Sequence, residues 1–192
     1  VGCLSSNFTL QAQIILVDRD YMKKMNSIFK KAGIELDGMV PTTLAERNLV
    51  LDRNELNDNV MLLDIGAGNT EIGVFEGNKF IYTNTIPLGG DTIKRDIELV
   101  LNISEEEADK LKRQYGLALK SFIDNDNDIF LNTYKGEQKN KTIKSSELIE
   151  IIEARIEEMF SLINRDIINQ GIKQRINNVI LTGQGITNIN KS

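Results

Sequence analysis

The sequence contains no histidine and a single cysteine, Cys3, among its 192 residues. One thiol cannot close an intrachain disulfide. Without imidazole, a Cys-His dyad and a Ser-His-Asp triad are both excluded, and so is structural zinc. A reducing, cytoplasmic address fits this cysteine usage. Clustered positive charge is missing as well, since 23 Lys and Arg face 28 Asp and Glu for a net charge of −5. Sequence-independent nucleic-acid binding draws its affinity from cations that displace counterions, so no nucleic-acid partner is expected. Apolar runs are short. Residues 14–17 and 60–63 fall far below the ~20 residues of a membrane-crossing helix. The opening Val1-Gly2-Cys3-Leu4-Ser5-Ser6 does not offer the basic end and apolar run expected of a signal peptide. It also lacks an initiator Met, which leads us to expect part of a longer chain.

What remains is the make-up of a soluble globular protein, with 41% hydrophobic and 27% charged residues, long enough for one large domain or two small ones. Residues 9–17 are β-branched and apolar and predict a strand. Asp18 or Asp20 then caps a helix carrying Met22, Met25, Ile28, Phe29 and Ala32, which Gly33 ends. Residues 37–40 read as a second short strand, and Pro41-Thr42-Thr43 as the start of a helix through Leu44, Ala45 and Leu49. The polar stretch 52–59 reads as a linker. Four apolar residues then lead into Asp64, followed by Gly66-Ala67-Gly68-Asn69-Thr70 and a β-rich run over 72–75, a hairpin pattern. Gly77-Asn78 makes a second tight turn into 80–88, completing a three-stranded meander.

Helical spacing returns after Gly89-Gly90-Asp91, with Ile93, Ile97, Val100 and Leu101 on one face. Ser104 and Glu107 form a capping box for a helix bearing Ala108, Leu111 and Tyr115, with Gly116 as its stop. Residues 124–140, polar apart from Ile129, Phe130, Leu131 and Tyr134, predict short strands and turns. Ser145 or Ser146 opens the longest helix. Its Ile149, Ile152, Ile156, Phe160, Ile163 and Ile167 are spaced as a buried stripe, and Gly171 closes it. A last strand over 179–181 runs into Thr182-Gly183-Gln184-Gly185.

The glycine loop after Asp64 is not a dinucleotide fingerprint, because Glu71 stands where the third glycine belongs and a strand follows instead of a helix. No Gly-x4-Gly-Lys-Ser/Thr occurs either. The loop is a strand-ending carboxylate followed by small residues whose backbone N–H groups can approach an anion, with Thr70 adding a hydroxyl. Asp64 is the residue to hold a hydrated Mg²⁺ beside phosphates, since that ion prefers carboxylate oxygen and keeps its waters. Asp124-Asn125-Asp126-Asn127-Asp128 alternates like a calcium loop but fails its spacing. Ile129 stands at the sixth position and Lys135 at the twelfth, which leaves a polar surface turn.

The run Asp64-Ile65-Gly66-Ala67-Gly68-Asn69-Thr70-Glu71, with Ile86-Pro87-Leu88-Gly89-Gly90-Asp91, resembles the second phosphate loop of the bacterial cell-division FtsA family. That family belongs to the actin and sugar-kinase-like ATPases. The resemblance continues through Glu107-Ala108-Asp109-Lys110-Leu111-Lys112 and Ile152-Glu153-Ala154-Arg155-Ile156-Glu157-Glu158. It ends at Leu181-Thr182-Gly183-Gln184-Gly185, which is similar to the family's adenosine loop. It covers most of the chain from about residue 9 and is carried by the order and spacing of several motifs.

The resemblance implies an α/β, actin-like (ribonuclease H-like) ATPase fold with a smaller α/β subdomain. Residues 1–57 would end the first half of that fold. Residues 58–90 and 172–192 would form the sheet with the nucleotide loops, and 91–171 the smaller subdomain. ATP and Mg²⁺ are the implied cofactors. Asp64, Gly66, Gly68, Asn69 and Thr70 would lie at the phosphates, with the metal on Asp64. Gly183, Gln184 and Gly185 would lie under the adenosine, and Asp109 and Lys112 would reach the sugar and base. Ala67, Asn69, Glu71 and Gln184 depart from the family's usual Gly, Thr, Asp and Gly, and Gln184 places a side chain beside the base. The family's first phosphate hairpin has no counterpart here, so no catalytic residue is assigned and hydrolysis by this chain alone is not expected.

The whole protein would polymerise through actin-like contacts and tether the FtsZ ring to the inner face of the membrane at the division site. FtsZ would dock on about 91–171, and the membrane would be met through a helix absent from this sequence. The alternatives are a pilus-assembly or chaperone-like ATP-binding protein of the same fold, a small-molecule kinase of the superfamily, or a scaffold that has lost nucleotide binding.

Overall fold

The computed structural model describes residues 7, 9, 12–132, 141–187 and 189. Cys3, Tyr134 and Lys135 lie outside them. In chain order the elements are α1 (Arg19–Lys31), α2 (Thr42–Val50), β1 (Asn59–Ile65), β2 (Thr70–Glu76), β3 (Lys79–Ile86), α3 (Gly90–Leu101) and α4 (Glu105–Tyr115). Then follow β4 (Asp128–Leu131), β5 (Lys141–Lys144), α5 (Ser145–Asn169), β6 (Asn178–Thr182) and the one-turn α6 (Gln184–Thr187).

The meander forms as its turn residues dictate. β1 pairs antiparallel with β2 in a register that sets Asp64 opposite Glu71 and Ile65 opposite Thr70, and β3 adds to the far side of β2. β6 joins β1 in parallel, giving the order β3-β2-β1-β6. Alternation along each strand sends side chains to two faces. Val60, Leu62 and Phe75 pack under α2 with Leu44, Leu51 and Leu56. Met61, Leu63, Ile65, Ile72 and Val74 face the other way, into a larger core shared with α3, α4, α5 and the β4–β5 hairpin. Each fully buried Leu or Ile in these layers is worth about 1.5–3 kcal/mol.

α5 runs for 25 residues, with Ile149, Ile152, Ile156, Ile163 and Ile167 buried as the spacing predicts, joined by Leu148 and Met159. It starts at Ser145, one of the two serines expected to open it. Lys144 occupies the N-cap position, and the cap is supplied from a distance by Asp126, which accepts from the Ser146 amide at 2.9 Å and from both serine hydroxyls at 3.0 Å. Within the Asp124–Asp128 alternation, Asp126 thus serves as a helix cap. α4 begins with the serine half of the expected capping box, Ser104 Oγ accepting from the Glu107 amide at 3.2 Å. α1 is capped by Asp18, which accepts from the Tyr21 amide at 2.7 Å.

Two expected strands do not form. Among the described residues, 12–17 and 37–40 are irregular and pair with no neighbour; Ile14 is 79% and Leu16 89% exposed. A strand exists only when another edge satisfies its backbone groups, and β-branched composition does not supply that edge. The stretch read as a linker is partly folded. Asp52 accepts from the Asn54 and Glu55 amides to hold a 3₁₀ turn over Glu55–Asn57, and Arg47 of α2 donates to the Leu56 and Gly77 carbonyls at 2.7 and 2.8 Å.

Candidate functional site

Because β1 and β6 run parallel, with Asp64 opposite Thr182, the turns that leave their C-terminal ends start side by side. In open α/β sheets this is where ligands gather. The hairpin turn closes on itself through the Gly66 amide and the Asn69 carbonyl, 2.9 Å apart. Its Gly66 and Ala67 carbonyls accept from the amides of Gly90 and Asp91 at 3.0 and 2.7 Å, which fastens the start of α3 to the loop. The second loop arrives from the other side. Gly183 has φ +92, a left-handed backbone that favours glycine, and a side chain there would strike Asp64 Oδ1. Gly185 lies so close to the Gly66 carbonyl that a Cβ would collide with it, and a Cβ on Gly90 would come within 2.7 Å of the Gly185 Cα. The loops beginning at Asp64 and Thr182 therefore converge, backbone against backbone.

Lys112 sits in this junction. It projects from α4 with 5% of its surface exposed, and its Nζ donates to the Gly90 carbonyl at 3.0 Å and the Gly185 carbonyl at 2.9 Å. Burial pushes its pKa below the ordinary lysine value, and the charges of Asp109 and Asp91 oppose that shift. Asp109 itself accepts from Arg113 at 2.7 Å along the surface of α4. Gly68, Asn69 and Gln184 are exposed, while Gly185 is buried. Thr70 corrects the sequence reading. Its hydroxyl, expected to face an anion, is fully buried and donates to the Leu88 carbonyl at 2.8 Å, with Met159 sulfur at 3.6 Å. It ties the loop to the segment before α3.

Sequence reasoning missed Glu46. Asp64 and Glu71 are paired across β1 and β2 on the face that α2 covers, and Glu46 lies on α2 above them. Its Oε2 is buried without a hydrogen-bond partner, and its pKa is raised by burial first and then by the charges of Asp64 and Glu71. Glu46 stands three residues after Thr43, which packs on Gly73, so the helical period places it over the same face. Among the described residues no three such side chains are arranged to hold a metal ion by themselves.

The fold is that of the actin-like ATPases. MreB5 of Spiroplasma citri, solved bound to ADP, superposes with a TM-score of 0.68 at 18% identity, over 88% of this chain and 55% of that one. The PilM-PilN type IV pilus biogenesis complex matches with a TM-score of 0.59 at 17% identity, over 87% and 41%. Within that class the sequence is more specific. The family model for cell division protein FtsA matches residues 61–191, and the chain belongs to the FtsA family. It is 32% identical over 180 residues to cell division protein FtsA of Bacillus subtilis, covering 94% of this chain and 41% of that protein. The Escherichia coli K12 protein of the same name is 27% identical over 191 residues, covering 95% and 45%. The chain thus spans less than half the length of these relatives.

Proposed function

We propose that this chain is the nucleotide-loop half of an FtsA-like cell-division protein, and that ATP with Mg²⁺ binds where its glycine loops converge. The observation that carries this reading is electrostatic incompleteness on both sides of one junction. Asp64, Glu71 and Glu46 crowd one side, and no lysine or arginine is seen to pair with them among the described residues. Lys112 is buried on the other side against neutral carbonyls alone. A triphosphate with a divalent cation complements both.

Asp64 would hold the metal, which needs only one or two carboxylates because phosphate oxygens and waters complete its shell. The exposed turn of Gly68 and Asn69, with Gly66 at its base, would meet the phosphates. Lys112, Gly183, Gln184 and Gly185 would meet the nucleoside. When bound, the Mg²⁺ supplies charge neutralisation for the phosphates. In this reading residues 58–90 and 172–192 form the nucleotide-loop subdomain, 91–171 the smaller one, and 1–57 the end of the preceding half.

The family extends the proposal to self-association into actin-like polymers, supported by the filament-forming MamK among structures of this fold, and to FtsZ as partner through about 91–171 at the division site. No helix among the described residues is long and apolar enough to cross a membrane. A thermal shift tests the nucleotide. Mg-ATP at ~100-fold its dissociation constant must stabilise the native state by about 2.7 kcal/mol, and an unmoved transition at millimolar Mg-ATP overturns the reading. Titration with a peptide of the FtsZ tail tests the partner, and no binding at high micromolar concentration removes it.

A further inference from the structure

Lys112 is a buried cation without an anion. The carboxylates nearest in its electrostatic surroundings are already engaged, Asp91 with Lys94 at 3.1 Å and Asp109 with Arg113 at 2.7 Å. Burying an ammonium is costly unless its protons are satisfied. Here two of the three are taken by carbonyls on separate segments, Gly90 at the start of α3 and Gly185 after β6. Gly90 in turn donates its amide to Gly66 at 3.0 Å, so a single side chain on α4 ties together the 64–70 loop, the start of α3 and the 183–187 segment. The backbones close up around it. A Cβ on Gly90 would come within 2.7 Å of Gly185 Cα and 2.8 Å of Lys112 Nζ, which leaves no room for a ligand between the two segments as they stand.

From this geometry we infer that Lys112 is a bolt. It holds the 89–91 and 183–187 segments against each other, and an entering nucleoside takes the ammonium over from the Gly185 carbonyl. The identity of the ligand rests on the nucleotide reading above; the bolt rests on the chain's own contacts. Opening breaks a charge-assisted hydrogen bond, and an acceptor oxygen or ring nitrogen of the ligand restores it. The ligand therefore binds after, or together with, the parting of the two segments, and Lys112 sets the rate of entry as well as the strength of holding.

Lys112→Met tests this, because it keeps the apolar stem and removes the ammonium. Hydrogen exchange on the full chain without nucleotide should accelerate about tenfold or more over 183–187, the segment that Lys112 ties to the Gly90 carbonyl, while β1 and β2 stay as protected as before. Association of a fluorescent ATP analogue, followed by stopped flow, should become about threefold faster or more. Unchanged exchange over 183–187 overturns the bolt. So does an affinity loss that comes from faster dissociation alone, which makes Lys112 an ordinary ligand contact. If neither protein binds the analogue, the nucleotide reading fails, and the exchange measurement still decides the bolt. Should the Met variant not fold, Lys112→Gln is read by the same exchange rates.

Discussion

Gly73 and Thr43 meet where α2 crosses the sheet. A Cβ on Gly73 would lie 2.5 Å from Thr43 Oγ1 and 2.7 Å from Thr43 Cβ, and Thr43 is fully buried. Gly73→Ala should lose about 1–3 kcal/mol through overpacking, read as a lower urea midpoint. Thr43→Ala should leave the midpoint unchanged or raise it, because Thr43 Oγ1 has no hydrogen-bond partner and its removal ends a buried, unsatisfied hydroxyl. Glu46 makes a related case with charge. Its folded pKa is raised, so its carboxylate costs stability at neutral pH, and the contribution of its protonated form is complete only below the unfolded value and is lost as pH rises through the folded one. Glu46→Gln should therefore stabilise the protein at pH 7 by about 0.5 kcal/mol after solvent screening, and the gain should shrink as the pH is lowered toward about 4. A Gln variant with the same melting temperature as the parent at pH 7 would show that neither the burial of Glu46 nor the charges of Asp64 and Glu71 cost stability there.

Among the elements, α5 separates what sequence pattern reveals from what it hides. Its buried stripe and the β1–β2–β3 meander were legible because helical period and turn chemistry are local properties, carried by Ile149 through Ile167, Gly66, Asn69, Gly77 and Asn78. The cap was not, since Asp126 reaches Ser146 across 20 residues. The same holds for Lys112. A lysine on an acidic helix reads as solvated, and its burial comes from Gly90 and Gly185, 22 and 73 residues away. Residues 12–17 fail in the opposite sense, with β composition and no edge to pair. Family resemblance brought the Asp64 and Thr182 loops together, where composition alone could not fix the parallel pairing of β1 with β6. The Asp126 cap carries its own test. The Ser146 amide first, with the serine hydroxyls and Lys144, holds the Asp126 carboxyl below the usual aspartate range. Its contribution is present above about pH 4 and is lost as pH falls through the depressed folded value. Asp126→Ala should lower the melting temperature by a few degrees at neutral pH, and the two proteins should converge in strong acid.

At the scale of the whole molecule, stability is concentrated after residue 40. Every side chain of the two core clusters lies from Leu44 onward, and α1 buries none of its residues. Before that point Ile14, Leu16, Val17, Tyr21, Ile28, Ile34 and Val40 are all more than half exposed, an apolar surface well beyond the scattered singles of an ordinary exterior. Of these, Ile14, Leu16, Val17, Tyr21 and Val40 line a groove of about 1090 Å³ whose other wall is Tyr82, Thr83 and Asn84 of β3. Such a surface raises the tendency to associate without adding to the cooperative core. A chain shortened to begin at Pro41 should consequently keep its melting temperature within about 5 °C of the parent, since each kcal/mol moves a domain of this size by only about 2–4 °C. It should also bind less of a dye that reports exposed apolar surface, and scatter less light at high concentration. Loss of cooperative unfolding in the shortened chain would mean that residues before Pro41 complete the β3 side of the sheet in solution, and that the two cores are not sufficient by themselves.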